Sequence, residues 1–120
     1  MERLSVNLSS YVLLLCLISG GGMVVRSQSE KTWCVAKPST DEVALVDNIS
    51  YACSIVDCTI LQEGHSCFYP NNNISHASIA MNLYFQSHGR NYWNCDFKNS
   101  GLIVSTDPSF GGCIYQFGNY

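Results

Sequence analysis

Apolar residues recur at helical spacing in two stretches of the 120-residue chain. The first stretch follows Ser39-Thr40-Asp41-Glu42, which fits a capping box with Ser39 as the N-cap and Glu42 three residues later. Apolar positions then share one face of a helical period, and these are Leu45, Val46, Ile49, Ala52 and Cys53. The pattern predicts a first helix that begins at Ser39 and ends near Cys53.

The second stretch is the most regular in the chain and extends from about Ile74 to His88. Its apolar face is formed by Ile74, Ala77, Met81, Tyr84, Phe85 and His88. Gly89 follows, and glycine readily adopts the left-handed conformation that ends many helices. We therefore expect a second helix over residues 74–88, closed by Gly89.

Beyond Gly89 the pattern changes to short apolar runs. Leu102-Ile103-Val104 and Cys113-Ile114-Tyr115 are separated by turn-forming residues, which include Pro108 and two adjacent glycines. These runs predict two small strands. The fold class expected from the whole pattern is α+β: a small disulfide-rich domain with two main helices, a small antiparallel sheet and long coil segments.

The N-terminus has a different character. Tyr11–Ser19 is an uninterrupted apolar run that follows Arg3 and precedes three glycines, as in a secretory signal peptide. A membrane anchor would need about 20 consecutive apolar residues, and here it would have to include the glycines. We expect a signal peptide over residues 1–27, cut after Ser27 or alternatively after Gly22, and a single domain over residues 28–120.

Removal of the signal peptide takes Cys16 with it and leaves six of the seven cysteines. An even number of cysteines in an exported domain predicts three disulfides. Spacing alone leaves all fifteen pairings open. A core built from two helices is small, so the bridges should supply much of the stability.

Charge and sequence motifs narrow the choice of partners. The net charge of −3, with only six basic residues, lacks the basic surface that nucleic acid binding needs. No apolar tail follows Cys113, so we expect no membrane anchor in the mature chain. Asn48-Ile49-Ser50 and Asn73-Ile74-Ser75 are acceptor motifs for N-linked glycans, which predicts glycosylation at Asn48 and Asn73.

No catalytic constellation appears in the sequence. The carboxylates are scattered and no two are marked as opposed across a cleft. All mature cysteines are needed for disulfides, and no Gly-x-Ser-x-Gly motif occurs. His65, His76 and His88 lack metal-ligand spacing. The sequence therefore predicts a protein that is not an enzyme and holds no metal or cofactor.

Aromatic residues are the unusual feature of the composition. The chain contains 14 of them, and all but Tyr11 lie in the predicted mature domain, which is more than a small core can enclose. Many lie beside amides, as in Asn82-Leu83-Tyr84-Phe85-Gln86 and Asn91-Tyr92-Trp93-Asn94. Rings stack on the C–H faces of sugars, and amides bond to hydroxyl groups. This combination is typical of a surface that binds a neutral polysaccharide.

Several segments together resemble a known family, the plant X-eight domain (carbohydrate-binding module family 43). They are Trp33-Cys34-Val35-Ala36-Lys37-Pro38, Tyr51-Ala52-Cys53, Asp57-Cys58, Cys67-Phe68-Tyr69-Pro70-Asn71, Asn82-Leu83-Tyr84-Phe85-Gln86, Gly89-Arg90, Cys95-Asp96-Phe97 and Thr106-Asp107-Pro108-Ser109-Phe110-Gly111-Gly112-Cys113. The resemblance extends over essentially the whole mature chain. It implies a non-catalytic module that binds β-1,3-glucan (callose), here as a free, monomeric, secreted member in the cell wall or apoplast.

The resemblance also implies a disulfide order, in which Cys34 pairs with Cys95, Cys53 with Cys58, and Cys67 with Cys113. One departure from the family pattern is Phe85, which stands where a second tyrosine is common and lacks a hydroxyl group that could bond to sugar.

We predict the sugar-binding surface from the residues and the resemblance together. The stacking platforms are Tyr69, Tyr84 and Trp93, although the place of Tyr84 on the helical face also suits burial. The hydrogen-bonding groups are Asn82, Gln86, Arg90 and Asp96. Trp33, Phe97 and Phe110 are assigned to the core. The alternative function is a disulfide-stabilised signalling or defence protein that recognises a protein receptor.

Overall fold

The computed structural model describes residues 30–118. The predicted signal peptide, its cleavage site and Cys16 lie outside the described residues. The principal elements are strand β1 (Trp33–Ala36), helix α1 (Glu42–Cys53), helix α2 (Asn73–Ser87) and strand β2 (Gly101–Val104). Short 3₁₀ turns cover Thr59–Leu61, Ser66–Phe68 and Tyr92–Cys95. The α+β fold class with two helices and a small antiparallel sheet is confirmed.

Helix α1 begins later than the capping box indicated. Asp41, not Ser39, is the N-cap, and its Oδ1 accepts a hydrogen bond of 2.8 Å from the Ala44 amide. Ser39 lies in a preceding turn, in which the amide and hydroxyl of Thr40 both donate to the Lys37 carbonyl. Because Thr40 is held in this turn, the helix begins after it, and the N-cap is Asp41, two residues later than predicted.

Helix α2 matches its prediction within one residue at each end. The Asn72 side chain caps it by accepting a hydrogen bond of 2.9 Å from the Ser75 amide. At the other end Gly89 has a φ of +98°, the conformation expected of a glycine that closes a helix. The next amide, that of Arg90, donates to the Phe85 carbonyl. Helix α2 packs against both α1 and β1.

The sheet pairs different segments from those predicted. β1 and β2 are antiparallel, with Trp33 opposite Val104 and Ala36 opposite Gly101. The prediction of a strand over residues 113–115 is wrong, because Cys113 makes only an isolated bridge to Phe110. The partner of β2 in the sheet is β1, a strand that was not predicted from the sequence.

Side chains of α2 accept hydrogen bonds from backbone amides on the edge of β1 that faces away from β2. The Cys34 amide donates to Asn82 Oδ1 at 3.1 Å, and the Ala36 amide donates to Ser78 Oγ at 3.0 Å. Backbone groups buried without such partners would cost free energy. The four-residue strand is therefore held between β2 on one side and the polar face of α2 on the other.

The core has two clusters, one centred on Met81 and Phe85 of α2 and the other on Trp33 and Tyr115. Along α1, Leu45 and Ala52 are buried as predicted. Val46 is exposed, and Asn48 is buried in its place, so the inward face of α1 is rotated from the predicted one. Phe110 is also exposed and does not belong to the core.

Three disulfides join the described cysteines: Cys34–Cys95, Cys53–Cys58 and Cys67–Cys113. These are the pairs that the family resemblance implied. The first and third connect residues that are 61 and 46 positions apart. No helix within residues 30–118 combines the length and apolarity needed to cross a membrane.

Candidate functional site

A cleft of about 550 Å³ lies where α1, the C-terminal half of α2 and the segment 93–98 meet. Its lining is rich in aromatic and polar side chains. The residues that line it are Ala44, Asp47, Asn48, Ser50, Tyr51, Tyr84, Trp93, Asn94, Asp96, Phe97 and Lys98. We call this feature the aromatic cleft.

Three rings form the inner part of the aromatic cleft. Tyr84 lies 5.6 Å from both Tyr51 and Phe97, measured between ring centroids, and Tyr51 and Phe97 are 6.4 Å apart. These tilted and edge-on contacts are the preferred arrangements of aromatic pairs. The three rings therefore support one another, although they come from three separate segments of the chain.

Tyr84 is not an open stacking platform. The His88 ring stacks on it at a centroid distance of 3.9 Å with an angle of 17° between the planes. A hydrogen bond with the Tyr51 hydroxyl raises the pKa of Tyr84, with burial as the second cause. Tyr84 thus positions Tyr51, whose own ring is 53% exposed and open to a ligand.

Trp93 provides the other open ring of the cleft and is 61% exposed. It lies in the turn Tyr92–Cys95 and makes an edge-on contact with Tyr92 at 5.2 Å. Reciprocal hydrogen bonds fix this turn, because Asn94 Oδ1 accepts from the Asn91 amide and the Asn91 side chain accepts from the Asn94 amide. The indole is therefore held on a braced backbone while much of the residue remains accessible to solvent.

The segment after Cys95 brings polar groups to the cleft through an unusual backbone. Phe97, Lys98 and Asn99 all have positive φ, at 44°, 53° and 68°. Such values are uncommon for residues other than glycine and often occur at functional sites. Two amides beyond the turn, Ser100 and Gly101, donate to the Asp96 carbonyl. The turn places Asp96, Phe97 and Lys98 together along the cleft.

Most of the polar side chains of the cleft are exposed. Asp47 and Ser50 come from α1, and Asp96 and Lys98 come from the turn. Within residues 30–118, no three histidine, cysteine or carboxylate side chains are close enough together to hold a metal ion. The cleft can accept and donate hydrogen bonds around its rings.

The structure brings together three of the residues predicted to bind sugar. Tyr84, Trp93 and Asp96 all line the aromatic cleft. Tyr69 does not line it, although its ring is 58% exposed and packs edge-on against Phe68. Arg90 does not line it either, since its guanidinium lies 4.9 Å from the centre of the Phe117 ring.

Asn82 and Gln86 cannot serve as ligand-binding groups in this fold, which corrects the prediction. Both are fully buried and their amides are engaged in internal hydrogen bonds. Gln86 donates to the Thr32 carbonyl and to Asn82 Oδ1, and its Oε1 accepts from the Gly118 amide. Asn82 donates to the Gln116 carbonyl. These side chains join β1, α2 and the C-terminal segment.

Tyr51 and Asp47 line the cleft but were not predicted from the sequence. Phe97, which was assigned to the core, packs against the core cluster of Met81 and Phe85 and also lines the cleft. The signal for the α1 residues was present as a second helical series, Ala44, Asp47, Asn48 and Tyr51, beside the apolar one. The departure at Phe85 concerns the core instead of the site, because that side chain is fully buried and any hydroxyl there would be enclosed.

Comparison with known proteins gives consistent matches. A family model described as the X8 domain matches residues 32–102. A glucan endo-1,3-beta-glucosidase from Triticum aestivum is 46% identical over 97 residues, which cover 81% of this chain and 19% of that protein. The major pollen allergen Ole e 10 from Olea europaea is 45% identical over 91 residues, covering 74% of each chain. The chain spans about a fifth of the length of the glucosidases it matches.

Proposed function

Because the chain belongs to the X8 domain family, we propose that it is a module that binds β-1,3-glucan through the aromatic cleft and does not hydrolyse it. Several relatives carry the name glucan endo-1,3-beta-glucosidase, and the match occupies only about a fifth of each of these proteins. A match of this size is consistent with a separate binding module that forms only part of each glucosidase. The allergen Ole e 10 has a length closer to that of the present chain.

The exposed pair of rings in one cleft, Tyr51 and Trp93, is the observation that carries this proposal. Sugar C–H faces stack on such rings, and each covered ring contributes about 1 kcal/mol from apolar area alone. Micromolar affinity needs about −8 kcal/mol. A polymer that places several sugar units along the cleft meets this requirement, whereas a single sugar does not.

The surroundings of the carboxylates support binding without hydrolysis. Glycosidases keep one carboxylic acid protonated in an apolar environment so that it can donate its proton. Asp47 and Asp96 of the cleft are both exposed to water. Their chemistry suits hydrogen bonds to sugar hydroxyls, which need an acceptor and no proton transfer.

The three disulfides fit a protein that works in an oxidising compartment. We place the protein outside the cell, in the wall, as a monomer that binds polysaccharide. Its acidic net charge of −3 argues against nucleic acid as the partner.

A pull-down assay on insoluble polysaccharides tests this proposal directly. The full chain is incubated with β-1,3-glucan, cellulose and chitin, and the bound fraction is measured. We expect selective retention on β-1,3-glucan and no release of reducing sugar from laminarin. Equal retention on all three polymers, or on none, would contradict the proposal and favour recognition of a protein receptor.

Two exposed aromatic residues provide a matched pair of variants. Trp93→Ala removes an open ring of the cleft and should weaken binding about tenfold, which corresponds to about 1.4 kcal/mol. Tyr69→Ala removes a ring of similar exposure outside the cleft and should leave binding unchanged. If Tyr69→Ala weakens binding as much as Trp93→Ala, then the sugar does not bind in the aromatic cleft. Circular dichroism of both variants checks that the fold is retained.

A further inference from the structure

The two N-glycosylation motifs have opposite surroundings in the folded protein. We propose that Asn73 carries an N-linked glycan and that Asn48 remains unmodified. Sequence alone treats Asn48-Ile49-Ser50 and Asn73-Ile74-Ser75 as equivalent acceptors. The distinction comes from what each amide nitrogen contacts and from whether the asparagine lines the aromatic cleft.

The Asn48 side chain is part of the interior and is only 8% exposed. Its Nδ2 donates to Ser100 Oγ at 2.8 Å and lies 3.6 Å from the Met81 sulfur. Both amide hydrogens are thus directed at internal partners. Attachment of a glycan would replace one of them with a sugar ring, in a space that α2 and the turn near Ser100 already fill.

Asn48 also lines the aromatic cleft. A glycan at this position would extend from the interior into the cleft and would compete for the space beside Tyr51. A chain glycosylated at Asn48 would also lose at least one of the two internal contacts of its amide. The unmodified amide is needed both for the contact between α1 and α2 and for an open cleft.

Asn73 is placed very differently, at the first residue of α2. Its Nδ2 makes an exposed hydrogen bond of 2.8 Å to Glu42 Oε1. A glycosylated asparagine keeps one hydrogen on Nδ2, so this contact can persist beside an attached sugar. Asn73 does not line the aromatic cleft, and a glycan there leaves the cleft accessible.

The modification is a simple group transfer. The donor is an oligosaccharide linked to a lipid diphosphate, and its first N-acetylglucosamine is bound through C1 to the phosphate oxygen. The C1–O bond breaks, a bond forms between C1 and Asn73 Nδ2, the lipid diphosphate leaves, and the amide loses one proton. No oxidation or reduction takes place.

Glycopeptide mapping of the full chain expressed in plant cells tests the proposal. The folded, secreted protein is treated with an amidase that converts each glycosylated asparagine to aspartate in ¹⁸O-labelled water, and both peptides are analysed by mass spectrometry. We expect the label at Asn73 and none at Asn48. A glycan on Asn48 in the folded protein, or an unmodified Asn73, would overturn the proposal.

Two serine variants remove each acceptor motif while leaving both asparagines intact. Ser75→Ala deletes a buried hydroxyl that has no hydrogen-bond partner. It should lower the mass of the secreted protein by the mass of one glycan. Ser50→Ala deletes an exposed hydroxyl and should leave the mass unchanged. A loss of glycan in Ser50→Ala, or its retention in Ser75→Ala, would show that the assignment is reversed.

Discussion

Tyr115 is a buried tyrosine that packs beside Trp33 and the Cys67–Cys113 disulfide. Burial raises the pKa of Tyr115 to about 12, while a hydrogen bond with the Ser78 side chain acts in the opposite direction. Burial would leave a phenolate poorly solvated, so the folded protein retains the Tyr115 proton at pH values at which the unfolded chain releases it. Tyr115 therefore lowers the free energy of unfolding as the pH becomes alkaline.

The sign of that dependence follows from the two pKa values. An unfolded tyrosine titrates near 10, so the unfolded chain binds fewer protons than the folded one between about pH 10 and pH 12. The contribution of Tyr115 is complete below pH 10 and falls by roughly 2–3 kcal/mol as the pH rises to about 12. Urea unfolding at a series of alkaline pH values measures this loss. Tyr115→Phe should show a smaller loss, and an equal slope in both proteins would contradict the assignment.

Individual residues also show where sequence analysis reaches its limit. Amides beside aromatic rings predicted sugar contacts for Asn82, Gln86 and Trp93 alike. Only Trp93 is exposed, because the two amides lie on the face of α2 that packs against β1. The helical pattern identified the buried apolar residues Ala77, Met81 and Phe85 of α2, but a buried polar residue becomes recognisable only when its hydrogen-bond partners from other segments are known.

Among the elements, helix α2 could be predicted almost completely, since its apolar period and Gly89 agree with each other. Strand β1 could not be predicted. It has four residues, and its hydrogen bonds go to β2 and to side chains of α2 that lie more than forty positions away. Short strands of this kind are defined by distant partners and not by local propensity.

The corrected start of α1 leads to a test by substitution. Asp41→Ala removes the side-chain oxygen that accepts from the Ala44 amide, and loss of such a cap costs about 1 kcal/mol. The melting temperature should fall by about 4–8 °C for a domain of this size. Ser39→Ala is the control and should leave the melting temperature unchanged. If Ser39→Ala lowers the melting temperature more than Asp41→Ala, then Ser39 is the N-cap of α1.

At the scale of the whole molecule, the disulfides differ in what they connect. Cys34–Cys95 joins β1 to the turn that carries Trp93, whereas Cys53–Cys58 closes a short loop at the end of α1. The family resemblance was needed to identify the pairs, because spacing leaves fifteen arrangements open. One bridge ends at Cys95, between the cleft residues Asn94 and Asp96.

Replacing both cysteines of a bridge by alanine should cost more stability for Cys34–Cys95 than for Cys53–Cys58. Loop entropy assigns about 4 kcal/mol to a bridge over 61 positions and about 2 kcal/mol to one over five. Cys34 and Cys95 are also buried, so replacing them by alanine removes packing as well. We expect the Cys34→Ala, Cys95→Ala double variant to be much less stable towards urea than Cys53→Ala, Cys58→Ala. Similar unfolding midpoints would contradict this order.

Cys95 directly precedes the turn with positive φ values and ends the 3₁₀ turn that contains Trp93. While Cys34 and Cys95 remain thiols, no covalent cross-link holds this segment against β1. We therefore expect the proposed binding of polysaccharide to depend on oxidation of these two thiols.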